Sequence, residues 1–488
     1  MGAIIGDALW AILLAINYSL VILFSILIVL RNSNPVKTFS YLFALATLPF
    51  LGLLVYYLFG QDYRKDKIFR KKYALDDDKL RTWKSGLLLN SVELTLLREQ
   101  YGEAPYRIYR LMRENSKAPL TFGNEVEILV NGEKKFSALK SDLAKARHHI
   151  HLEYFVVFDD ELGSEILDIL CAKAAEGVIV RLIYDDVGSK LSRRTKQKLT
   201  ASGVHHFPFM PVLYPRFTGK LNYRDHRKIV VIDGETGYVG GINIRKKYDN
   251  SFADNERYWR DTHIRIKGAA VIALQATFLL SWDFVSGNET GLADVYFPKS
   301  LPAGKEPIAV QIAASGPDTD WANIMEAMFT AISGAEKYIF ITTPYLIPNE
   351  AILTALTTAG RSGIDVRILI PYDSDSVAAQ YATDSYIEQL VKSKVRIYRY
   401  KKGFVHSKTM VIDDHFISVG TANLDYRSFS INFEINALIY NESKAREMKA
   451  IFEDDLREAE VVDPEAWIGR GLKRKLMESF SRLWAPLL

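Results

Sequence analysis

The chain has 488 residues, 48% of them hydrophobic, which excludes a disordered polymer and leaves room for two or three domains. Sixty-two basic residues against 58 acidic ones give a formal charge of +4, too little for wholesale nucleic-acid binding, so where the basic residues sit matters more than how many there are. The lone cysteine, Cys171, has no internal disulfide partner and reads as a small core hydrophobe, consistent with a reducing compartment.

From Ala8 to Leu30 the sequence is almost wholly apolar, interrupted by Asn17 and a few hydroxyls. At about 1.5 Å rise per residue this run spans a hydrocarbon layer of about 30 Å. A second run, Ser40 to Phe59, carries Pro49 and Gly52, which membrane helices tolerate, and Tyr56 and Tyr57 at an interfacial position. Together they predict a two-helix transmembrane hairpin within residues 1–62. The first run lacks the basic flank and small-residue cleavage site of a signal peptide. Arg64, Lys65, Lys67, Arg70, Lys71 and Lys72 follow, against only Arg31 and Lys37 in the connecting loop, so the positive-inside bias puts the remainder in the cytoplasm. Residues 63–118 read as a basic juxtamembrane linker that also attracts anionic phospholipids, at about 1 kcal/mol per basic residue near the surface.

The rest is a tandem repeat, with halves at 119–300 and 301–488. HIHLEYFVV, SEILDILCAKAAEG and VIVRLIYDD in the first half answer to YIFITTPYLIP, EAILTALTTAGRSG and DVRILIPYDS in the second. Each half reads strand, helix, strand, and a further strand (VHHFPF, VRIYRYK) precedes each motif described next. Strands alternating with helices of this length predict the α/β class, with parallel sheet and helical crossovers. The apolar run Ala269–Phe284 contains Gln275 and Asp283 and is short for a membrane span, so it reads as a buried helix. His148, His149, His151 and Glu153 resemble a metal cluster, but alternate residues of a strand face opposite ways and no further ligand has matching spacing, so the structural reading is preferred. His205 and His206 read the same way. Near the end, Trp467, Leu472, Leu476, Phe480 and Leu483 recur at helical spacing beside Arg470, Lys473, Arg474, Lys475 and Arg482, a basic amphipathic helix suited to a bilayer surface.

HRKIVVIDGETGYVGGINI from His226 aligns without a gap on HSKTMVIDDHFISVGTANL from His406, at a constant offset of 180, with eight identical positions. A purely structural repeat has no reason to preserve His, Lys, Asp and Asn. Each copy reads as a β-hairpin around a polar turn, which puts His226 nearly opposite Asn243, and His406 beside Asn423. Side chains two apart on a strand share a face, so Lys228 projects with His226 and Lys408 with His406. Lysine and asparagine suit the non-bridging oxygens of a phosphodiester, and histidine can attack phosphorus or shuttle a proton near neutral pH. The two motifs therefore form the catalytic set His226, Lys228, Asp233, His406, Lys408 and Asp413, in which the two aspartates fall at the turn end and have a structural role.

The paired motifs resemble the phospholipase D superfamily, and the chain resembles bacterial cardiolipin synthases over nearly its full length, through PVKTFSYLFALATLPFLGLLVYYLFG, WRDTHIRIKG, PYLIPNE and SRLWAPLL. The resemblance implies transfer of a phosphatidyl group from one phosphatidylglycerol to another with release of glycerol, through a phosphohistidine and with neither cofactor nor metal, at the inner cell membrane. It implies His226 as nucleophile and His406 as general acid and base, with the reverse left open. Lys228, Asn243, Lys408 and Asn423 would hold the phosphate. An acid orienting each imidazole is implied at Glu434 and at Asp261, with Asp254 a competitor. Gly241 stands where the second half has Thr421. The rivals are a hydrolytic phospholipase D, a nuclease, disfavoured by the membrane segments, and a non-catalytic scaffold.

Overall fold

The structure, a computed structural model, describes residues 2–30, 35–48, 50–59, 95, 98–99, 101–116, 118–211, 223–287, 294–298 and 308–485. The N-terminal residues form a unit of their own. Helix α1 (Gly2–Leu30) contains Ala8–Leu30, the one span among the described residues long and apolar enough to cross a membrane. The second apolar run corrects the expectation of a hairpin of two continuous helices: it folds as α2 (Pro35–Thr47) and α3 (Leu51–Phe59), neither of membrane length. Pro49 has no N–H to give to a helical ladder, and Phe50 takes a φ of 61°. The N–H of Phe50 donates to Oδ1 of Asn17 at 3.0 Å, so the polar interruption in the first run satisfies the break in the second. Val21 and Ile28 of α1 pack against Leu45, with Phe24, Tyr41, Leu53 and Tyr56 around them. The basic residues from Arg64 to Lys72 lie outside the described residues.

The second unit is organised by one 15-stranded mixed sheet. Its first half contributes β1 (Leu120–Val130), β2 (His149–Tyr154), β3 (Ile179–Asp185), β4 (His205–Phe209), β5 (Lys228–Ile232), β6 (Thr236–Gly240) and β8 (Thr262–Lys267); β7 (Tyr258–Arg260) pairs elsewhere. The second half contributes β9 (Ile308–Ser315), β10 (Tyr338–Thr342), β12 (Asp365–Pro371), β13 (Arg396–Tyr400), β15 (Thr409–Ile412), β16 (Phe416–Gly420), β18 (Glu434–Tyr440) and an edge strand, β19 (Ala459–Val461). Between these run the short β11 (Leu346–Ile347), β14 (Gly403–Val405) and β17 (Leu424–Asp425).

Read outward from the centre, one half runs β1, β8, β6, β5, β2, β3, β4, and the other runs β9, β18, β16, β15, β10, β12, β13. The orders are equivalent, and β1 pairs antiparallel with β9, so the two α/β halves fuse into one sheet with a pseudo-twofold at that junction. Within each half the outer three strands are parallel and the inner ones antiparallel. The parallel strands read as continuous apolar runs because helices cover them. Helix α4 (Glu161–Ala175) crosses from β2 to β3, capped by Asp160, whose carboxylate accepts the N–H of Gly163. Helix α5 (Ala270–Ser286) is the apolar run with Gln275 and Asp283, buried in the first half. Helix α6 (Glu350–Arg361) makes the matching crossover in the second half, capped by Asn349. Helix α7 (Val377–Lys392) connects β12 to β13, and α8 (Leu472–Leu483) lies near the end.

The histidines of β2 are packed into this core. His149 Nε2 is 3.0 Å from Oε1 of Gln275, and His151 Nδ1 is 2.8 Å from its Nε2. Burial lowers the pKa of both, that of His149 to about 4, so they are neutral core groups. Among the described residues no His, Cys, Asp and Glu group is arranged to hold a metal ion. His205 and His206 lie in β4, and His206 Nε2 sits 3.1 Å from the Thr200 hydroxyl.

Candidate active site

The register of each motif follows from its turn. Ile229 lies opposite Val239 and Ile232 opposite Thr236; in the second copy Thr409 faces Val419 and Ile412 faces Phe416. Asp233 and Asp413 adopt φ values of 55° and 52°, a region that aspartate tolerates better than most residues. Neither is a hydrogen-bond partner of His226 or His406. The Asp233 carboxylate accepts the backbone N–H groups of Arg147, His148 and His149 at 2.8–3.0 Å. Asp413 accepts those of Glu336, Lys337 and Tyr338 at 2.6–2.8 Å. Each aspartate thus pins its hairpin turn to the start of a parallel strand.

At the other end of the hairpins the two halves cross. Asp225 bridges to Phe433, and the His226 N–H donates to the Phe433 carbonyl at 2.9 Å. Symmetrically, β14 pairs with β7, and the His406 N–H donates to the Arg260 carbonyl at 2.7 Å. The residue following each acceptor is an acid. Glu434 of the second half therefore meets His226 of the first, with Oε2 2.9 Å from Nδ1, and Asp261 of the first meets His406 of the second, at 2.7 Å from Nδ1. Asp254 is exposed and pairs instead with Lys246 at 2.7 Å.

The Gly241 and Thr421 difference has a steric meaning. The Thr421 hydroxyl donates to Glu434, whereas a Cβ at Gly241 would lie 2.1 Å from Oδ1 of Asp261. The bare glycine makes room for the carboxylate that holds His406.

With each Nδ1 occupied, Nε2 is the nitrogen left for substrate; the tautomer follows from these hydrogen bonds. Both imidazoles line one cavity of about 400 Å³, together with Asn243 and Asn423. Asn243 donates to the Tyr248 hydroxyl at 2.8 Å and accepts the Val156 N–H, while Asn423 donates to Asp425 at 3.0 Å. Lys228 and Lys408 are not among the lining residues. They are buried behind the histidines, each ammonium donating to the carbonyl of its own motif histidine.

Burial dominates the electrostatics. It lowers the His226 pKa to about 4 and pushes His406 well down, with Lys408 and Lys228 adding to the effect on His406. It lowers Lys228 to about 7 and Lys408 to about 8. The two acids differ. Burial raises Asp261 to about 6, whereas for Glu434 the same penalty is outweighed by His226 and Lys228, which leave it below its ordinary value. Both histidines are neutral at pH 7, ready to accept a proton or attack an electrophile.

The cavity also holds groups that the motif reading missed. Lys247 and Arg427 line it from equivalent positions, 180 apart like the histidines, and Lys247 Nζ sits 3.9 Å from the centre of the Trp259 ring. Continuing the motif alignment past the asparagines would have found the pair. Tyr248 and Trp259 pack around His406, each ring centre 5.6 Å away, and Phe155 packs on His226 at 5.0 Å.

A family model described as "Cardiolipin synthase, PLD-like domain" matches residues 139–264 and 328–456, and one described as "Phospholipase_D-nuclease N-terminal" matches residues 20–61. Among solved structures, phosphatidylserine synthase from Haemophilus influenzae superposes with a TM-score of 0.59 at 15% identity, covering 78% of this chain and 100% of that one, a likeness of fold. Fold and duplicated motif are those of phospholipase D-like proteins. Cardiolipin synthase 2 of Bacillus anthracis is 42% identical over 94% of this chain and 88% of its own length. The cardiolipin synthase of Geobacillus sp. (strain WCH70) is 40% identical over 99% and 95%, and the major cardiolipin synthase ClsA of Bacillus subtilis 39% over 98% and 99%. The chain belongs to the bacterial cardiolipin synthase family within the phospholipase D superfamily.

Proposed function

We propose that this enzyme is a cardiolipin synthase that transfers a phosphatidyl group between two phosphatidylglycerol molecules, with His226 as nucleophile and His406 as general acid and base. The anionic phosphodiester, once bound, favours the protonated form of His406, which takes up a proton from solvent; Nε2 of His226 then forms a bond to the phosphorus of the first lipid as the bond from phosphorus to the glycerol oxygen breaks, and that oxygen takes the proton from Nε2 of His406. The terminal hydroxyl of the second lipid then loses its proton to His406 and attacks the phosphohistidine, releasing His226. One phosphodiester replaces another, so no nucleotide is consumed.

The observation that carries this reading is the crossed pairing of His226 with Glu434 and His406 with Asp261 around a single cavity. The assignment of roles rests on the acids. An ionised Glu434 holds the proton on Nδ1 of His226 and leaves Nε2 nucleophilic, while Asp261, raised to about 6, shares a proton more readily with His406. Lys228 and Lys408 supply positive charge from behind, and Asn243 and Asn423 face the phosphate. Asp233 and Asp413 stabilise the hairpins. A membrane anchor fits a lipid substrate: α1 crosses the bilayer, and the catalytic halves, at 119–300 and 301–488, lie on the cytoplasmic side. The test is to incubate the purified protein in vesicles with phosphatidylglycerol labelled in the headgroup. Cardiolipin with free glycerol supports transfer; phosphatidic acid as the main product makes the enzyme a hydrolase, and no turnover makes it a scaffold.

A further inference from the structure

Helix α8 presents its apolar side chains outward. Leu472, Leu476, Phe480 and Leu483 are 73%, 61%, 63% and 75% exposed. At about 100° per residue they fall within an arc of about 80°, with Lys473 on one flank and Lys475 and Arg482 on the other. This orientation is locked. On the opposite side Arg470 binds Glu478, which is 1% exposed, and Glu388, while Arg474 binds Glu478 and Asp384. The Arg482 guanidinium sits 4.3 Å from the Tyr386 ring centre. The helix is tied to α7 through its polar face, so the apolar stripe is a built surface and does not result from a helix end left loose.

We infer that this stripe docks on an anionic lipid bilayer. Charge selects that occupant. Residues 470–484 hold five basic side chains and one acidic one, a net charge equal to that of the entire 488-residue chain. Two copies of the helix meeting face to face would bring these charges together, whereas an anionic headgroup layer complements them. A four-residue apolar stripe with basic flanks is the arrangement that lies in a headgroup layer, its long basic stems reaching outward. The consequence for catalysis rests on the function proposed above, but the docking does not. Ser376 and Ala379, at the start of α7, line the cavity that holds both histidines, and α8 is bound farther along the same helix. Docked, α8 holds a cavity wall at the lipid surface from which the substrates come.

The test uses the full chain, with Cys171→Ala as background, reconstituted in vesicles that contain brominated acyl chains. A fluorophore is placed at Leu476→Cys, at Phe480→Cys or at the exposed control Glu442→Cys. The first two labels are expected to be quenched and the control not, with quenching greater in phosphatidylglycerol than in phosphatidylcholine. Raising the salt from about 0.1 M to 1 M, which shortens the screening length from about 10 Å to about 3 Å, should reduce it. Lys473→Ala should weaken docking about fivefold. Labels at 476 and 480 no more quenched than the control would overturn the inference, as would a concentration-dependent spectral shift without quenching, which identifies a second copy. Quenching indifferent to headgroup and salt would overturn the choice of an anionic surface. Leu476→Asp with Phe480→Asp should lose turnover on vesicles and keep it on short-chain phosphatidylglycerol in solution. If the unaltered enzyme makes no cardiolipin from either substrate while the labels are quenched, the proposed function fails and the docking stands.

Discussion

Glu434 holds Nδ1 of His226 at 2.9 Å although 208 residues of chain separate them and they belong to opposite halves. Asp261 and His406 repeat the relationship in reverse at 2.7 Å. Neither duplicated half contains a complete histidine and acid pair of its own. The pairing of β1 with β9 and the short β7 and β14 contact therefore set the position of each imidazole relative to its acid.

Glu434→Gln should lower kcat by about 10²- to 10⁴-fold, the range for losing proton-transfer competence or the correct tautomer of a catalytic imidazole. Asp261→Asn should cost a similar amount, with a different signature. If His226 is the nucleophile, Glu434→Gln slows formation of the phosphoenzyme, while Asp261→Asn impairs His406 and slows its resolution. Acid-quenched samples with labelled donor lipid should then show more trapped phosphoprotein in Asp261→Asn than in Glu434→Gln. The opposite ranking would exchange the roles of the two histidines.

Gly241→Ala tests the same pair sterically. The new Cβ would sit 2.1 Å from a carboxylate oxygen of Asp261, so either the acid leaves His406 or the backbone shifts. Overpacking of this kind costs about 1–3 kcal/mol of stability. Activity at a temperature well below the melting transition should fall by more than the loss of folded protein accounts for. Wild-type turnover in a folded Gly241→Ala enzyme would mean that the Asp261 position is not critical.

Asp233→Asn and Asp413→Asn should behave in the opposite manner. Each aspartate accepts three backbone N–H groups far from the cavity, and an amide oxygen accepts them less well. Weakening this cluster should cost about 1–3 kcal/mol, seen as a lower melting temperature, with turnover per folded molecule largely retained. A loss of turnover at full folding would place these carboxylates in the chemistry.

The hairpin registers and the α/β halves were legible in the sequence because they depend on local features: a turn centre, a period-two strand and a constant offset of 180 between His226 and His406. The crossing was not legible. That Val405 lies beside Arg260 depends on how two distant segments meet, and no periodicity within either encodes it. Asp261 was found only because its surroundings align loosely with those of Glu434, and rejecting Asp254 required seeing it paired with Lys246 in solvent. The second apolar run misled for a different reason. Hydropathy summed over Ser40–Phe59 cannot register that the helix breaks between Thr47 and Leu51, nor that Asn17 is placed to satisfy the freed N–H of Phe50. Lys247 and Arg427 went unnoticed because the repeat was read as far as the asparagines and no farther.

The last prediction concerns pH, and the signs follow from burial. In the proposed mechanism His226 attacks when neutral, and its pKa is lowered to about 4, so protonating it does not limit the free enzyme until well below the ordinary histidine range. Asp261 loses its charge earlier, as pH falls through about 6. On the alkaline side the charged form of each lysine is the useful one. Lys228 loses its proton as pH rises through about 7 and Lys408 through about 8, so attraction for an anionic phosphodiester declines there. In the profile of kcat/KM, which reports the free enzyme, the lysines should thus add a further fall above pH 7 to 8, beyond the one set by deprotonation of His406. A bound phosphate favours the charged lysines, so the profile of kcat should fall at higher pH, and the separation of the two limbs measures the coupling between lysine and phosphate. Lys228→Arg keeps the positive charge at every accessible pH and should move the alkaline limb of kcat/KM upward, even if the larger group lowers the rate overall. If that limb stays in place in both Lys228→Arg and Lys408→Arg, some other group controls it, and the buried lysines do not hold the substrate by charge.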